Sequence, residues 1–321
     1  MKTTALLFIA GMLSISVGNA QDFEYSFKES YKVTVPARLT VSSHDGNIEV
    51  IPGDGSTVEV YYIARKYNKV LKIDRPGLEK ELTVETSNDA GSVKILVRNE
   101  HQNFNFKDQV HVSFRVRVPR EMACDLRTSD GNIALSGLIS DQQVKTSDGN
   151  VRVSDVKGSV IAKTSDGNIH LRKIGGSVVV NTSDGDIALE DINGNAEGGT
   201  SDGNIGLSRI SGDIAVKTSD GNIDFQEIAG SLKAVTSDGN VSGRMVTLKK
   251  QLVVSTSDGN ISITIPDKLG LDLDIRGEVI DVPLNNFTGK SDKKFIKGQS
   301  NGGGIAVSLS SSDGNVRVVY M

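Results

Sequence analysis

An aspartate recurs at a fixed interval through the centre of the sequence, always within a phrase close to Thr-Ser-Asp-Gly-Asn (TSDGN). Each interval is eighteen residues except the last, which is twenty. The positions are Asp130, Asp148, Asp166, Asp184, Asp202, Asp220, Asp238 and Asp258. Carboxylates that repeat at the corners of stacked turns can bind calcium, because this ion prefers oxygen ligands. The spacing therefore raises the hypothesis of a calcium ladder.

Turn formation is the competing role for these aspartates. Calcium-binding repeats of the Gly-Gly-x-Gly-x-Asp type place glycine before the aspartate and carry an acidic corner on both sides. Here glycine follows the aspartate, and the opposite corner is Gly-Ser, Gly-Asn or Gly-Asp. An aspartate at a turn can accept hydrogen bonds from the backbone N–H groups that follow it. Lys145, Lys163 and Lys217 precede the phrase and offset part of the repulsion between carboxylates. We predict turn formation, with no cofactor, and the calcium ladder as the alternative.

The residues between the aspartates alternate between apolar and other types. In one unit, the apolar positions are Ile205, Leu207, Ile210, Ile214 and Val216. Alternation with period two predicts strands rather than helices. The apolar residues of one unit are too few for a core, so successive units must stack at about 4.8 Å. A β-propeller blade needs about 40 residues, more than one unit supplies. The sequence predicts an all-β parallel β-solenoid (β-helix) with 18-residue rungs, two short strands per rung and irregular capped ends.

The other members of the phrase have predicted architectural roles. Gly131 and Gly149 are expected to permit corner geometries that other residues resist. Asn132, Asn150 and Asn168 are expected to stack into an amide ladder along one edge, with the threonines in a column of their own. The repeated phrase is therefore predicted to build the fold.

No catalytic residues can be assigned from the sequence. An enzyme on a β-helix needs a groove with grouped carboxylates or basic residues. The outward positions carry no repeated acid–base pair; they are Arg152, Ser154, His170, Arg172, Ala188, Glu190, Gly206, Ser208, Asp224 and Gln226. The four histidines, His44, His101, His111 and His170, are too scattered along the chain to suggest a preformed zinc site. We therefore predict a protein without enzyme activity, and a polysaccharide-acting enzyme is the least favoured alternative.

Residues 1–20 have the features of a secretory signal peptide. Lys2 is followed by a short apolar run, and small residues at Gly18 and Ala20 suit a cleavage point. Residue 21 is Gln21 rather than cysteine, so a lipoprotein is not expected. No later stretch approaches the roughly 20 apolar residues of a membrane span. We predict an exported protein that is periplasmic, cell-surface or extracellular.

Composition excludes several further classes. Cys124 is the only cysteine, so no internal disulfide can form, and its apolar surroundings suit a core position. Lysine plus arginine number 36 against 40 acidic residues, for a net charge of −4, without a basic stripe. Nucleic acid is therefore not an expected partner.

The chain is divided by composition into four parts. They are the signal peptide at 1–20, an aromatic-rich N-terminal β section and cap at 21–120, the TSDGN solenoid at 121–265, and C-terminal rungs and cap at 266–321. Solenoid ends need covering, so most aromatics of the second part are expected to cap the first rungs. Phe104 and Phe106 lie in a polar loop, and we predict that they form a binding loop.

Three segments resemble the bacterial putative-adhesin family of β-strand-repeat proteins, a domain of unknown function. They are SYKVTVPARLTVSSHDGNIEV, VSFRVRVPREMACDLRTSDGNIAL and the serial TSDGNI units, and the resemblance covers residues 27–321. It implies an exported β-solenoid and supplies no catalytic residues.

These observations predict a surface-interaction, adhesin-like module whose partner is a surface protein or a glycan. The alternatives are a structural spacer of the cell envelope and a calcium-binding solenoid. The expected state is a monomer or a weak end-to-end associate.

Overall fold

The computed structural model describes residues 23–89, 91–98 and 109–321. The first section contains strands β1 (Phe27–Lys32), β2 (Ala37–Ser42), β3 (Ile48–Pro52), β4 (Thr57–Lys66) and β5 (Lys69–Val70), helix α1 (Arg75–Leu78), and strands β6 (Thr83–Asp89), β7 (Ser92–Arg98) and β8 (His111–Val118). The repeats contain β9 (Met122–Arg127), β10 (Ile133–Ser136), β11 (Gln142–Lys145), β12 (Val151–Val156), β13 (Val160–Lys163), β14 (Ile169–Ile174), β15 (Val178–Asn181), β16 (Ile187–Ile192), β17 (Ala196–Gly199), β18 (Ile205–Lys217), β19 (Ile223–Val235) and β20 (Val241–Thr256). The last section contains β21 (Ile261–Ile265), β22 (Leu271–Arg276), β23 (Ile280–Asp281), β24 (Thr288–Ser291), β25 (Phe295–Ser300), β26 (Ile305–Ser311) and β27 (Val316–Tyr320). The predicted all-β class is confirmed.

The strands pair in two parallel rows, which we name the front row and the back row. The front row runs β8–β3–β10–β12–β14–β16–β18 and continues through β19, β20, β21 and β27. The back row runs β7–β2–β9–β11–β13–β15–β17–β18 and continues through β19, β20, β26 and β22. Strands β18, β19 and β20 each run through both rows, so two separate strands per unit occur only in the earlier repeats.

The repeat period sets the register between neighbouring units. Ile187 pairs with Ile205 and Ile205 with Ile223, so each residue lies beside its equivalent eighteen positions away. The alternating apolar side chains point inward and are at most 4% exposed across β18. Each fully buried aliphatic side chain contributes about 1.5–3 kcal/mol before chain entropy is subtracted. Stacked columns of equivalent residues therefore form one continuous core.

Each unit also bends at a position that the sequence analysis missed. Asp155, Lys173, Asp191, Arg209 and Glu227 all have φ between 53° and 57°, in the left-handed region. Non-glycine residues adopt this conformation only when the surrounding structure imposes it. Gly137, at φ 73°, occupies the same column in the first unit, and it is the one residue whose type signals the bend.

The last rung of the sequence is not last in space. Strands β26 and β27 pair with β20 and β21, and they separate them from β22 and β23. The reason is the SSDGN phrase at residues 311–315. Ser311 donates to the carbonyl of Gly259, and the Asn315 N–H donates to Asn260 Oδ1. Residues 271–281 lack this phrase and cannot continue the corner.

Antiparallel strands cover the N-terminal ends of both rows and the other end of the back row. At the N-terminal end, β4 pairs with β8, β1 with β4, and β6 with β7. At the other end, β25 pairs with β22 and β24 with β25. These strands shield terminal rungs whose free edges could otherwise pair with other chains.

Candidate functional site

The threonine of each TSDGN corner is buried and contacts three backbone groups. Thr182 Oγ1 lies 2.9 Å from the carbonyl oxygen of Ser165 and 3.0 Å from that of Gly167, both in the preceding unit. It also accepts a hydrogen bond of 3.3 Å from the Gly185 N–H. The same pattern occurs at Thr146, Thr164, Thr200, Thr218, Thr236 and Thr256. The threonine column is therefore built from side chain–backbone contacts.

We expect Thr182→Val to lower the free energy of unfolding by about 1–3 kcal/mol. Valine keeps the shape but leaves buried backbone groups without a partner, and such groups keep their full desolvation penalty. Urea unfolding measures the change. Ser183→Ala is the matched control, because this neighbouring side chain is exposed, and we expect it to stay within about 0.5 kcal/mol. Equal losses in the two variants would contradict the role of the threonine.

The glycine of the phrase is required for a different reason from the one predicted. A Cβ on Gly167 would lie 1.9 Å from the carbonyl oxygen of Gly149, and a Cβ on Gly149 would lie 1.9 Å from that of Gly131. These glycines do not adopt positive φ, whereas Gly46 does, at 121°. Close approach of stacked backbones, and not unusual dihedral angles, therefore excludes other residues from the repeat corners.

The predicted asparagine ladder is present in the structure. The backbone N–H of Asn150 donates to Asn132 Oδ1 at 2.8 Å, and the side-chain Nδ2 of Asn150 lies 3.1 Å from the same atom. The column begins at Asn47 and reaches Asn315. Asp186 replaces one asparagine and accepts the next N–H equally well, at 2.8 Å. Each side chain thus satisfies a backbone donor of the following rung.

The aspartate column points to solvent. Asp130, Asp148, Asp166, Asp184, Asp202, Asp220, Asp238 and Asp258 are all exposed. The expectation that these carboxylates cap the following N–H groups is wrong, because threonine takes the glycine N–H and asparagine takes the asparagine N–H. Within the described residues, no hydrogen bond or ion pair engages the carboxylates of Asp148, Asp166, Asp184, Asp202, Asp220, Asp238 and Asp258. The fold uses threonine, glycine and asparagine and leaves these carboxylates free.

The N-terminal end of the aspartate column is different, because two histidines lie there. His44 Nδ1 is 2.6 Å from Asp45 Oδ1, and His111 Nδ1 is 3.3 Å from Asp45 Oδ2. Ligand atoms of His44, Asp45 and Asp130 lie within 4.8 Å of one another. His44 and His111, which are far apart in the sequence, thus contact the same carboxylate. Parallel pairing of β3 with β8 brings together residues that are 67 positions apart.

The surroundings of this cluster raise the pKa values of two of its members. The pKa of His44 is raised, chiefly by its hydrogen bond to Asp45. The pKa of Asp130 is also raised, first by burial and then by repulsion from the Asp45 carboxylate. The third described histidine is separate, since His170 Nε2 lies 3.4 Å from Glu190 on the front row.

The N-terminal aromatics divide into two groups. Tyr62 and Phe114 are fully buried, and the ring of Phe27 stacks on Tyr62 with centres 4.4 Å apart. The ring centres of Tyr62 and Phe114 are 5.4 Å apart. Tyr62 and Phe114 lie in the core beneath the first rungs, and the partly buried Phe27 packs against them.

A second group lies on the outer face of β4 and β8, and we name it the aromatic–arginine patch. It consists of Phe23, Tyr25, Tyr61, Arg115 and Arg117. The ring of Tyr61 is 5.1 Å from that of Phe23 and 5.2 Å from that of Tyr25. The guanidinium of Arg115 lies 4.1 Å from the ring centre of Phe23, and that of Arg117 lies 5.7 Å from Tyr61. Tyr25 is 38% exposed, so the patch presents aromatic and cationic surface to solvent.

A hydrogen-bond network anchors α1 to the N-terminal strands. The Glu29 carboxylate accepts from Tyr62 Oη at 2.8 Å, from Arg75 Nη1 at 2.9 Å and from Tyr31. Burial opposes ionisation of Glu29, but these donors outweigh it, and its pKa is lowered. Burial and the Glu29 carboxylate raise the pKa of Tyr31 to about 12. Asp74 caps α1 by accepting the Gly77 N–H.

Two further predictions can be compared with the structure, and a third cannot. Phe104 and Phe106, the predicted binding loop, lie outside the described residues. Cys124 is buried and its thiol pKa is raised by burial, which agrees with a core position. No helix in the described ranges has the length and apolar character needed to cross a membrane.

The sequence matches the Toastrack DUF4097 family over residues 37–224 and 159–319. Among solved structures, the chain is similar to a putative lipid binding protein from Parabacteroides distasonis, with 14% identity, a TM-score of 0.40 and coverage of 91% of this chain and 96% of that chain. It is similar to a putative adhesin from Bacteroides fragilis, with 11% identity, a TM-score of 0.30 and coverage of 91% and 96%. It is also similar to a putative cell adhesion protein from Clostridium sporogenes, with 10% identity, a TM-score of 0.23 and coverage of 91% and 98%.

A comparison with curated proteins found no match. The predicted resemblance to a putative-adhesin family of unknown function is confirmed. Since the two matched segments overlap and together run from residue 37 to residue 319, the chain belongs to the Toastrack DUF4097 family.

Proposed function

We propose that this protein is exported and acts as a non-enzymatic surface-interaction module that binds a surface protein or a glycan. The repeat stack is the rigid support, and the N-terminal section carries the recognition surface. The signal-peptide features of residues 1–20 support export.

The observation that carries this proposal is the aromatic–arginine patch. The exposed Tyr25 ring offers apolar surface, and the half-buried guanidinium groups of Arg115 and Arg117 offer charge-assisted hydrogen bonds close to it. Tyrosine and arginine are enriched among the residues that dominate binding energy in protein interfaces. The Tyr25 ring packs against the rings of Phe23 and Tyr61, so little side-chain entropy is lost when it binds a ligand.

The repeat rungs support the proposal by their irregular outer surface. Along one column of the front row the outward residues are Arg152, His170, Ala188, Gly206 and Asp224. A ligand that ran along the stack would meet a different chemistry at each rung. Selectivity is therefore better placed in a local patch than in the repeat.

We expect Tyr25→Ala, and separately Phe104→Ala with Phe106→Ala, to weaken binding at least tenfold. Tenfold corresponds to about 1.4 kcal/mol, which is typical for loss of an aromatic anchor. The ligand is first found by screening the wild-type protein against a glycan array and a panel of matrix proteins. Affinities of the variants are then measured by surface plasmon resonance, with melting curves to confirm folding.

Removal of residues 182–199 is the matched control, because it deletes one complete unit and leaves the recognition surfaces intact. We expect binding to be nearly unchanged. A spacer of the cell envelope, the alternative function, depends on length and would be altered by this deletion instead. Absence of any ligand in the screen, or unchanged binding in both aromatic variants, would remove the support for an adhesin-like module.

A further inference from the structure

We propose that His44, Asp45, His111 and Asp130 form a binding site for a divalent transition-metal ion, with zinc as the best-fitting ion. The site lies at the N-terminal end of the aspartate column, at the corner between β2 and β3. It is independent of the adhesin-like function, since none of its residues belongs to the aromatic–arginine patch.

The four side chains have the ligand atoms that zinc prefers in proteins. Imidazole nitrogen with carboxylate oxygen is a common donor set for zinc, whereas calcium and magnesium prefer oxygen alone. The two carboxylates neutralise the charge of a divalent ion, and the two imidazoles bind it as neutral ligands. A histidine, His44, directly precedes Asp45, whereas a serine directly precedes each aspartate of the repeats, from Ser129 to Ser257.

One distance between ligand atoms in the cluster matches that of a tetrahedral zinc site. Zinc holds nitrogen and oxygen ligands at about 2.1 Å, which places the ligand atoms of a tetrahedral site about 3.4 Å apart. The contact between His111 Nδ1 and Asp45 Oδ2, at 3.3 Å, has this length. His44 Nδ1 lies 2.6 Å from the other carboxylate oxygen, and Asp130 is within 4.8 Å of both His44 and Asp45. His111 joins this cluster through Asp45 alone, and in the proposed site the two exposed imidazole rings rotate toward the ion.

The central carboxylate of the cluster is held more firmly than the imidazoles. Asp45 has only 19% of its side chain exposed, while His44 and His111 are 65% and 49% exposed. The carboxylate is therefore held in place and the imidazoles can adjust. The corner itself is fixed by stacked backbone bonds, since the Ser129 N–H donates to the His44 carbonyl at 2.8 Å and the Phe114 N–H to the Asn47 carbonyl at 2.7 Å. Bound metal would tie β8, the β2–β3 corner and the first repeat corner together.

Isothermal titration calorimetry of the whole chain, purified without a histidine tag, tests the site with zinc chloride at neutral pH. We expect one zinc ion per chain, with an affinity that falls at least tenfold in His44→Ala and in His111→Ala. Cobalt(II) gives a second readout, because imidazole ligation to cobalt in a tetrahedral site produces visible absorption bands that the two variants should lose. Melting curves confirm that each variant folds.

Two matched controls use the same residue types elsewhere. His170→Ala removes the histidine beside Glu190, and Asp166→Asn removes a carboxylate from the middle of the column; both should leave zinc affinity unchanged. The proposal is overturned if the wild type takes up no stoichiometric zinc, which would mean that the histidines only form ion pairs with Asp45. It is also overturned if His44→Ala with His111→Ala binds zinc as well as the wild type, or if Asp166→Asn weakens zinc binding as much as Asp130→Asn.

Discussion

Replacement of Ile205 by aspartate should lower the free energy of unfolding by about 4 kcal/mol or more. Ile205 is 1% exposed and lies between Ile187 and Ile223 in a column of equivalent residues. The substitution removes a packed aliphatic side chain and buries a carboxylate that has no partner. Loss of the packing alone costs about 2–5 kcal/mol, and an unpaired buried charge costs about 3–5 kcal/mol, although the two effects do not simply add.

Ser208→Asp is the control for this substitution, in the same strand but on the outer face. Ser208 is half-buried, and its hydroxyl accepts a hydrogen bond from Arg209 at 2.8 Å. A carboxylate there can keep the Arg209 contact, so we expect a change within about 0.5 kcal/mol. Thermal and urea unfolding of the two variants measure the difference. Similar losses at both positions would show that the inward and outward assignment of β18 is wrong.

The second large effect is expected for Gly167→Ala, where a single methyl group meets backbone rather than side chain. The new Cβ would lie 1.9 Å from the carbonyl oxygen of Gly149 and 2.4 Å from its carbonyl carbon. Backbone atoms cannot rotate away, so the two rungs must separate at this corner. Separation weakens the threonine and asparagine contacts made there, including that of Thr182 with Gly167. We expect a loss of about 3 kcal/mol in the free energy of unfolding.

Gly206→Ala is the control for this effect. Gly206 lies on the exposed outer face of β18, and the nearest atom to an added Cβ is 3.9 Å away. Alanine also reduces the entropy of the unfolded chain, so this variant should be unchanged or more stable by up to about 1 kcal/mol. Circular dichroism melting curves are sufficient for the comparison. A Gly167→Ala protein as stable as the Gly206→Ala protein would refute the close-approach explanation.

The sequence by itself determined the all-β class, the inward columns and the asparagine ladder at the corner. The physical reason is the repeat. A residue such as Ile205 must lie beside its equivalents eighteen positions away. The sequence of one unit therefore predicts which residues are neighbours in the stacked units. Alternation within a unit then assigns each side chain to the core or to solvent.

Only the tertiary structure decided the features that depend on the path of a backbone or on segments outside the repeat. The glycine corner is a matter of distance between two backbones, and sequence carries dihedral preference but not that distance. The placement of β26 and β27 between β20–β21 and β22–β23 depends on which rung can extend the corner ladder. His44 and His111 meet because β8 stacks on β3, an order of rungs that departs from chain order. Period and composition are local properties, whereas these contacts come from the order in which the rungs are stacked.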